Sequence, residues 1–448
     1  MKNSQSIYSI RCWVDEKLQP ATISFDAGII TAISFVKDAD AVDMGDHIIM
    51  PGVIDAHVHI NEPGRTEWEG FETATKAAAA GGVTTVVDMP LNASPVTTTT
   101  KALEVKLAAA KDQLYVNCGF YGGLIPGNLK DLEPLMNAGV LGIKCFLTHS
   151  GIDEFPNVTE EEVDTAMPVI VKHGIHLLAH CELESGTIYI STNTGSYKEY
   201  VAGRPRQWEN DAIAMMIRLC RKHRCPTHIV HVSSAEALAM IADAKKEGLP
   251  LTAETCSHYI YFNAENIPDK NTLYKCAPPI REKENNEALK QALKTGVLDF
   301  ITTDHSPAPP DIKEIHSGDL TKAWGGIAGL QFLLPVSWTS LKDLLSLAEF
   351  IPLLTSKPAH FLHLQDRKGK IAVGFDADLT IWDPGERFEV KEDQIHHRHK
   401  IGPYTGEQLF GSVKQTIVNG EVVFDKEIKN LIKGKIILNK ESSSALFA

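Results

Sequence analysis

Hydrophobic and polar positions along this chain change their rhythm twice. Through residues 1–50, short alternating runs (SIYSIRCWV, ATISF, IITAISFV) are split by charged or Asp-Ala-Gly turns, which reads as small β structure. Over residues 51–370 the texture becomes an apolar, β-branched run followed by a stretch of helical period. Eight such runs recur: GVIDAHVHI, VTTVVDMP, LYVNCGFYG, LGIKCFLTH, IHLLAHCE, HIVHVSS, LTAETCSHY and LDFITTDHS. Helical stretches such as WEGFETATKAAAA and NDAIAMMIRLCRK stand between them. Parallel strands require helical crossovers, so eight βα units predict an α/β fold of the (β/α)8 barrel type. A doubly wound open sheet would place a Gly-rich phosphate loop after its first strand, and HINEPG is no such loop. Over residues 371–448 short strands return (IAVGFDADLTIWD, SVKQTIVNGEVVFD, GKIILN). Pairing them with residues 1–50 predicts one small β-sandwich built from both termini and flanking the barrel.

Within this pattern the first barrel strand carries an anomaly. Residues two apart on a strand share a face, so Asp55, His57 and His59 point one way. A wet edge strand would explain them, but Ile54, Ala56, Val58 and Ile60 make the segment too apolar for that. Buried imidazoles need partners, and a metal ion suits two of them at once. Side chains at the C-terminal ends of barrel strands meet at the mouth, and reading the other ends adds Lys144, His180, His231 and Asp304. Lys144 sits in GIKCFL, where an ammonium is out of place; it either snorkels to the mouth or has reacted with carbon dioxide to form a carbamate. A carbamate has two oxygens and a negative charge and can bridge two cations. With Asp304 and a bridging hydroxide it returns three of the four charges that two divalent ions bring. Asp55 is either a supporting or a structural acid.

The expected chemistry follows from that cluster. Two ions about 3.5–4 Å apart lower the pKa of a shared water and polarise a carbonyl oxygen. Asp304 then serves as general base towards the bridging hydroxide and as general acid towards a leaving nitrogen. That is hydrolysis of an amide-like bond in a small-molecule substrate.

Bulk properties narrow the setting. The 448 residues allow a large catalytic domain plus a smaller one, and the net charge of −13 argues against nucleic acid as a partner. Eight scattered cysteines without a CxxC pair suit buried, reduced thiols. The N-terminus lacks the apolar core of a signal peptide, and no apolar run approaches the ~20 residues of a membrane span. The expectation is a cytoplasmic, soluble enzyme that engages no membrane.

The blocks DAHVHINEPGRTEWEGFETATKAAAAGGVTT, GIKCF, HCE, HVSS, AETCSHY, CAPPIRE and TTDHSPAPP, then AWGGIAGLQ, make the chain resemble the cyclic amidohydrolases, most closely their allantoin-opening branch. The resemblance runs through essentially the whole chain. It implies a metal-dependent barrel hydrolase with a flanking β-sandwich, one ion held by His57, His59, Asp304 and carboxylated Lys144, and a second held by Lys144, His180 and His231. It also implies two divalent ions, usually zinc with cobalt or manganese accepted, and a homotetramer. Many relatives have Pro where this chain has Ser257, a loop position.

The resemblance implies allantoin as substrate and allantoate as product. Dihydroorotases, which resemble this chain, carry an arginine for the substrate carboxylate where Asn61 stands here. An amide suits a neutral hydantoin-type ring, although Arg65 lies four residues on and is a partial substitute. Dihydropyrimidinase, hydantoinase or dihydroorotase activity is the alternative. Further candidate substrate contacts are His149, Asn92 and the backbone of Ala277, against a plain loop histidine and a turn cap for the first two. KAWGGIAGL reads as a mobile loop at the mouth or a helix N-terminal turn, and HHRHK at 396–400 as a solvated surface turn.

Overall fold

The computed structural model describes residues 5–439 apart from 187, 188 and 190. Its first strands are β1 (Gln5–Val14), β2 (Lys17–Asp26), β3 (Ile29–Ser34), β4 (Val42–Asp43) and β5 (Ile48–Pro51). β1 and β2 form an antiparallel hairpin across Asp15 and Glu16, whose φ angles of 52° and 59° supply the twist that tight hairpins need.

All eight expected barrel runs become strands. They are β6 (Val53–Val58), β7 (Val83–Asp88), β8 (Asn117–Phe120), β10 (Gly142–Phe146), β11 (His176–His180), β12 (Thr227–Ile229), β13 (Leu251–Cys256) and β14 (Phe300–Thr302), with a two-residue β9 (Gly122–Gly123) after the third. Neighbours pair in parallel, β6 to β8 in one run and β9 to β14 in another. Two joins close the ring. His59 N–H donates to the His305 carbonyl at 2.7 Å beside a parallel Val58–His305 bridge, and Leu141 N–H donates to the Phe120 carbonyl at 2.9 Å. Helices such as Phe71–Ala80 and Arg206–His223 bury their apolar faces against the strands. The first two barrel strands approach closely at Gly52, where a Cβ would stand 2.0 Å from Thr84 Oγ1.

The chain then returns through β15 (Leu379–Glu389), β16 (Gln408–Val418), β17 (Glu421–Asp425), β18 (Glu427–Ile428) and β19 (Ile436–Ile437). β15 pairs antiparallel with β5, so both ends of the chain share one sheet in the order β18-β17-β16-β15-β5-β1-β2-β3, with β4 on β1. The GKIILN segment does not join that sheet. As β19 it pairs in parallel with β8, Ile436 opposite Cys118, where the Cys118 N–H donates to the Lys435 carbonyl at 2.9 Å. β8 meets β10 only at Phe120, and β19 satisfies the rest of that edge.

HHRHK also departs from expectation. His397 is 1% exposed, and Arg398 N–H donates to Glu69 Oε1 at 3.1 Å. His399 Nε2 lies 2.7 Å from the Glu67 carbonyl. These basic residues are drawn onto an acidic loop distant in sequence, which a reading of five consecutive letters misses. The eight cysteines are buried and free. No helix among the described residues is long and apolar enough to cross a membrane.

Candidate metal centre

Most of the donors stand where the barrel turns into a loop, while His57 and Lys144 lie inside their strands. His57 lies within β6 and His59 just past it, Lys144 in β10, and His180 ends β11. His231 and Asp304 each follow a strand by two residues, with φ of 41° and 46°. Such left-handed backbone at residues that are not glycine is strained, and the fold holds it at the mouth.

His57, His59 and Asp304 converge closely enough to share one ion, their ligand atoms all within 4.8 Å of one another. Asp304 Oδ1 lies 3.1 Å from His57 Nε2 and 3.2 Å from His59 Nε2. Behind His57, Nδ1 meets Glu254 Oε1 at 2.6 Å, and Glu254 Oε2 is 3.2 Å from His228 Nε2. With Nδ1–H given to Glu254, the His57 Nε2 lone pair faces a carboxylate oxygen, an arrangement that demands a positive charge between them. Burial opposes charge on His57, but Asp304 and Glu254 outweigh it and push the imidazole up to about 9. Glu254 is likewise buried, yet its two histidines hold it down at about 2. The Asn92 amide lies 3.3 Å from His59 Nδ1. Asp55 accepts the His57 N–H at 3.2 Å and the Thr303 hydroxyl, tying the first barrel strand to the last.

On the other side, His180 Nδ1 is 2.9 Å from His231 Nε2. Glu182 Oε2 accepts from His180 Nε2 at 2.8 Å, which leaves the Nδ1 lone pair free, and Phe146 stacks on the ring at 4.4 Å. Arg204 Nε donates to Glu182 Oε1 at 3.1 Å, and this guanidinium, with His180, outweighs burial to hold the carboxyl at about 2. Burial drives His180 down and His231 well below the ordinary imidazole range. Lys144 is fully buried, and its Nζ has no hydrogen-bond partner among the described residues. Burial pulls that amine down to about 8, against the pull of Asp304 and Glu254. An unpartnered buried amine, facing lone pairs and imidazoles fixed from behind by carboxylates form a donor set that fits divalent cations.

Above these donors opens a cavity of about 430 Å³, lined by His57, His59, His180, His231 and Asp304 together with loop residues. Asn92, His149 and Ala277 line it, as do Tyr200, Arg204 and Lys275. Asn61 does not. It is 1% exposed at φ 66°, and its amide donates to the Pro307 carbonyl at 3.3 Å, so the turn aims it away from the cavity. Arg65 is also turned aside, to Glu154 at 2.8 Å and the Asn92 carbonyl at 3.1 Å. Glu182 and Glu254 were overlooked in sequence; Glu254, an acid inside the strand run LTAETC, carries the same signal as His57, whereas Glu182 lies two residues past β11 and does not. Arg204 and Lys275 lie in loops and carry no such signal.

Comparison with known proteins bears on this geometry. A family model described as "Amidohydrolase family" matches residues 48–423. The chain belongs to the amidohydrolase family. Among curated amidohydrolase relatives, the "Allantoinase" of Streptomyces avermitilis is 42% identical over 92% of this chain and 94% of its own. That of Escherichia coli is 36% identical over 92% of both. Among solved structures, "L-Hydantoinase (Dihydropyrimidinase) from Arthrobacter aurescens" superposes with a TM-score of 0.90 at 30% identity, covering 98% of this chain and all of that one. Membership in this amidohydrolase family implies a binuclear divalent metal site.

Proposed function

We propose that this protein hydrolyses the hydantoin ring of allantoin to allantoate. The observation that carries this reading is similarity at 36–46% identity to proteins described as allantoinases, against 30% for the hydantoinase neighbour. The cavity supports it, since about 430 Å³ suits a small cyclic ureide.

The residue roles follow. His57, His59 and Asp304 hold one ion and His180 and His231 the other, with Lys144 between them. The Lys144 amine, depressed by burial, would add to carbon dioxide with loss of a proton, and the resulting carbamate would offer anionic oxygen ligands to both ions. Zinc is the first choice of metal, with cobalt or manganese as substitutes. The bound ions supply a hydroxide nucleophile near neutral pH and polarise the ring carbonyl. Asp304 accepts the proton at its carboxylate and delivers it to the leaving ring nitrogen, while Glu254 and Glu182 keep His57 and His180 in the ligating tautomer. Asn92, His149 and the Ala277 backbone contact the ring. Residues 51–370 form the catalytic barrel, residues 5–50 and 371–428 the flanking β domain, with β19 returning to the barrel edge, and four copies assemble.

Ring-opening assays with allantoin, dihydroorotate and hydantoin side by side, after reconstitution with zinc and bicarbonate, test the reading. Allantoin is expected to turn over fastest. Strong dihydroorotate turnover with allantoin untouched refutes it.

A further inference from the structure

The wall of the cavity away from the histidines is built from two loops, residues 275–277 and 323–326, and it is unusually well fixed. Gly326 N–H donates to the Lys275 carbonyl at 2.9 Å. Beneath both loops Lys313 donates its Nζ to the carbonyls of Gly326 at 2.8 Å, Trp324 at 3.0 Å and Lys275 at 3.4 Å. Trp324 Nε1 reaches Ser306 Oγ at 3.3 Å, and a Cβ on Gly326 would stand 2.2 Å from the Ser306 carbonyl. The wall is thus clamped against the segment that carries Asp304.

One side chain on this wall is left with capacity to spare. Lys275 Nζ donates to the Ala323 carbonyl and lies 5.5 Å above the Tyr200 ring. An ammonium has three donors, and the nearest influential carboxylate, Asp319, is too far to pair with it. Burial pulls the amine down to about 8, with Arg204 adding to the effect, so it remains a cation at neutral pH. Its remaining donor capacity opens on the cavity, where a carbonyl of a bound ligand can accept. The same cavity carries Glu184, whose Oε1 takes the Thr148 hydroxyl at 2.8 Å. Arg204 is already neutralised by Glu182. A wall offering a cationic donor and a carboxylate acceptor matches a group with both a carbonyl and N–H bonds better than a bare carboxylate. Allantoin carries such a group, the ureido arm on its ring, and hydantoin lacks it.

We propose that Lys275 is a specificity-determining residue, its ammonium receiving the carbonyl of the ureido arm while the ring sits at the ion-binding donors. This rests on the allantoin reading above. The test compares Lys275→Met with wild type in holoenzyme of equal metal content. A site built to hydrogen-bond a polar group loses heavily when the bond is removed, so kcat/KM for allantoin is expected to fall about 100-fold, mostly through KM. Hydantoin, used as a competitive inhibitor of allantoin opening, is expected to keep its Ki within twofold. Should the methionine variant fail to fold, Lys275→Gln keeps an uncharged amide donor and shows the same split at about 10-fold. Unchanged allantoin kinetics, or equal weakening of allantoin and hydantoin, overturns the assignment. A wild type inert towards allantoin sinks the ring-opening reading itself, and the assignment with it.

Discussion

The two halves of the metal centre are assembled by different means. Around His57 and His59 the protein provides its own anions, with Asp304 between the imidazoles and Glu254 behind one of them. Asp88 adds a further brace, accepting Ile60 N–H at 2.8 Å and Lys106 Nζ at 2.5 Å in full burial. Around His180 and His231 the only carboxylate among the described residues that touches either ring is Glu182, at the rear of His180 and already shared with Arg204. Lys144 faces that half as a buried amine with no hydrogen-bond partner among the described residues. One half carries its own carboxylate between the rings; the other is short of an anion, and the carbamate proposed at Lys144 would supply one.

Removing Lys144 therefore breaks the comparison outright. Lys144→Ala is expected to lower turnover by about 10⁴-fold, as when one member of a group acting as a unit is removed, and to halve the metal bound per chain. Added acetate or propionate should restore part of both, and full metal occupancy in the variant would refute a bridging carbamate. Lys106→Met attacks the other half's scaffold. It strands Asp88 as a buried charge and should cost about 3–5 kcal/mol of stability, read from denaturant midpoints at unchanged slope. Exchanging the rear carboxylates sharpens the contrast. Glu182→Gln should weaken only the second ion and Glu254→Gln only the first, each by about 10–100-fold in competition with a chelator. Equal loss of both ions in either variant would show that the halves are not independent. The smallest effect concerns the wall. Lys275, flanked by Arg204, Lys313, Tyr200 and the more distant Asp319, is a charged, strong donor only while protonated. Its amine is pushed down to about 8, so KM for allantoin should rise as pH climbs past that value, by about tenfold per unit at most, with the hydantoin Ki flat.

What sequence could reveal follows the same division. His57, Lys144, His180 and Asp304 were legible because each interrupts an apolar run, and a buried polar side chain announces a partner. Glu254 lies inside a strand run too, and the same logic extends to it, while Glu182 falls in the loop after β11. Asn61 was misjudged because its place in the motif says nothing about the φ of 66° that turns it to Pro307. His397 looked solvated because the acids that bury its segment, Glu67 and Glu69, come from the barrel's first loop. Lys275 and Lys313 gave no sign, since their burial is created by loops that meet only in the folded chain. The strand rhythm predicted all eight barrel strands, but it could not tell that β19 would cross from the small sheet to the barrel.

The pairing of β5 with β15 has a consequence for how the protein is made. β5 meets its antiparallel neighbour β15 only after roughly three hundred further residues have been translated, a closure whose entropy is felt as delay. Until then the β5 edge stands open to any passing strand, so nascent chains stalled before residue 379 should be the aggregation-prone species that chaperones must shield.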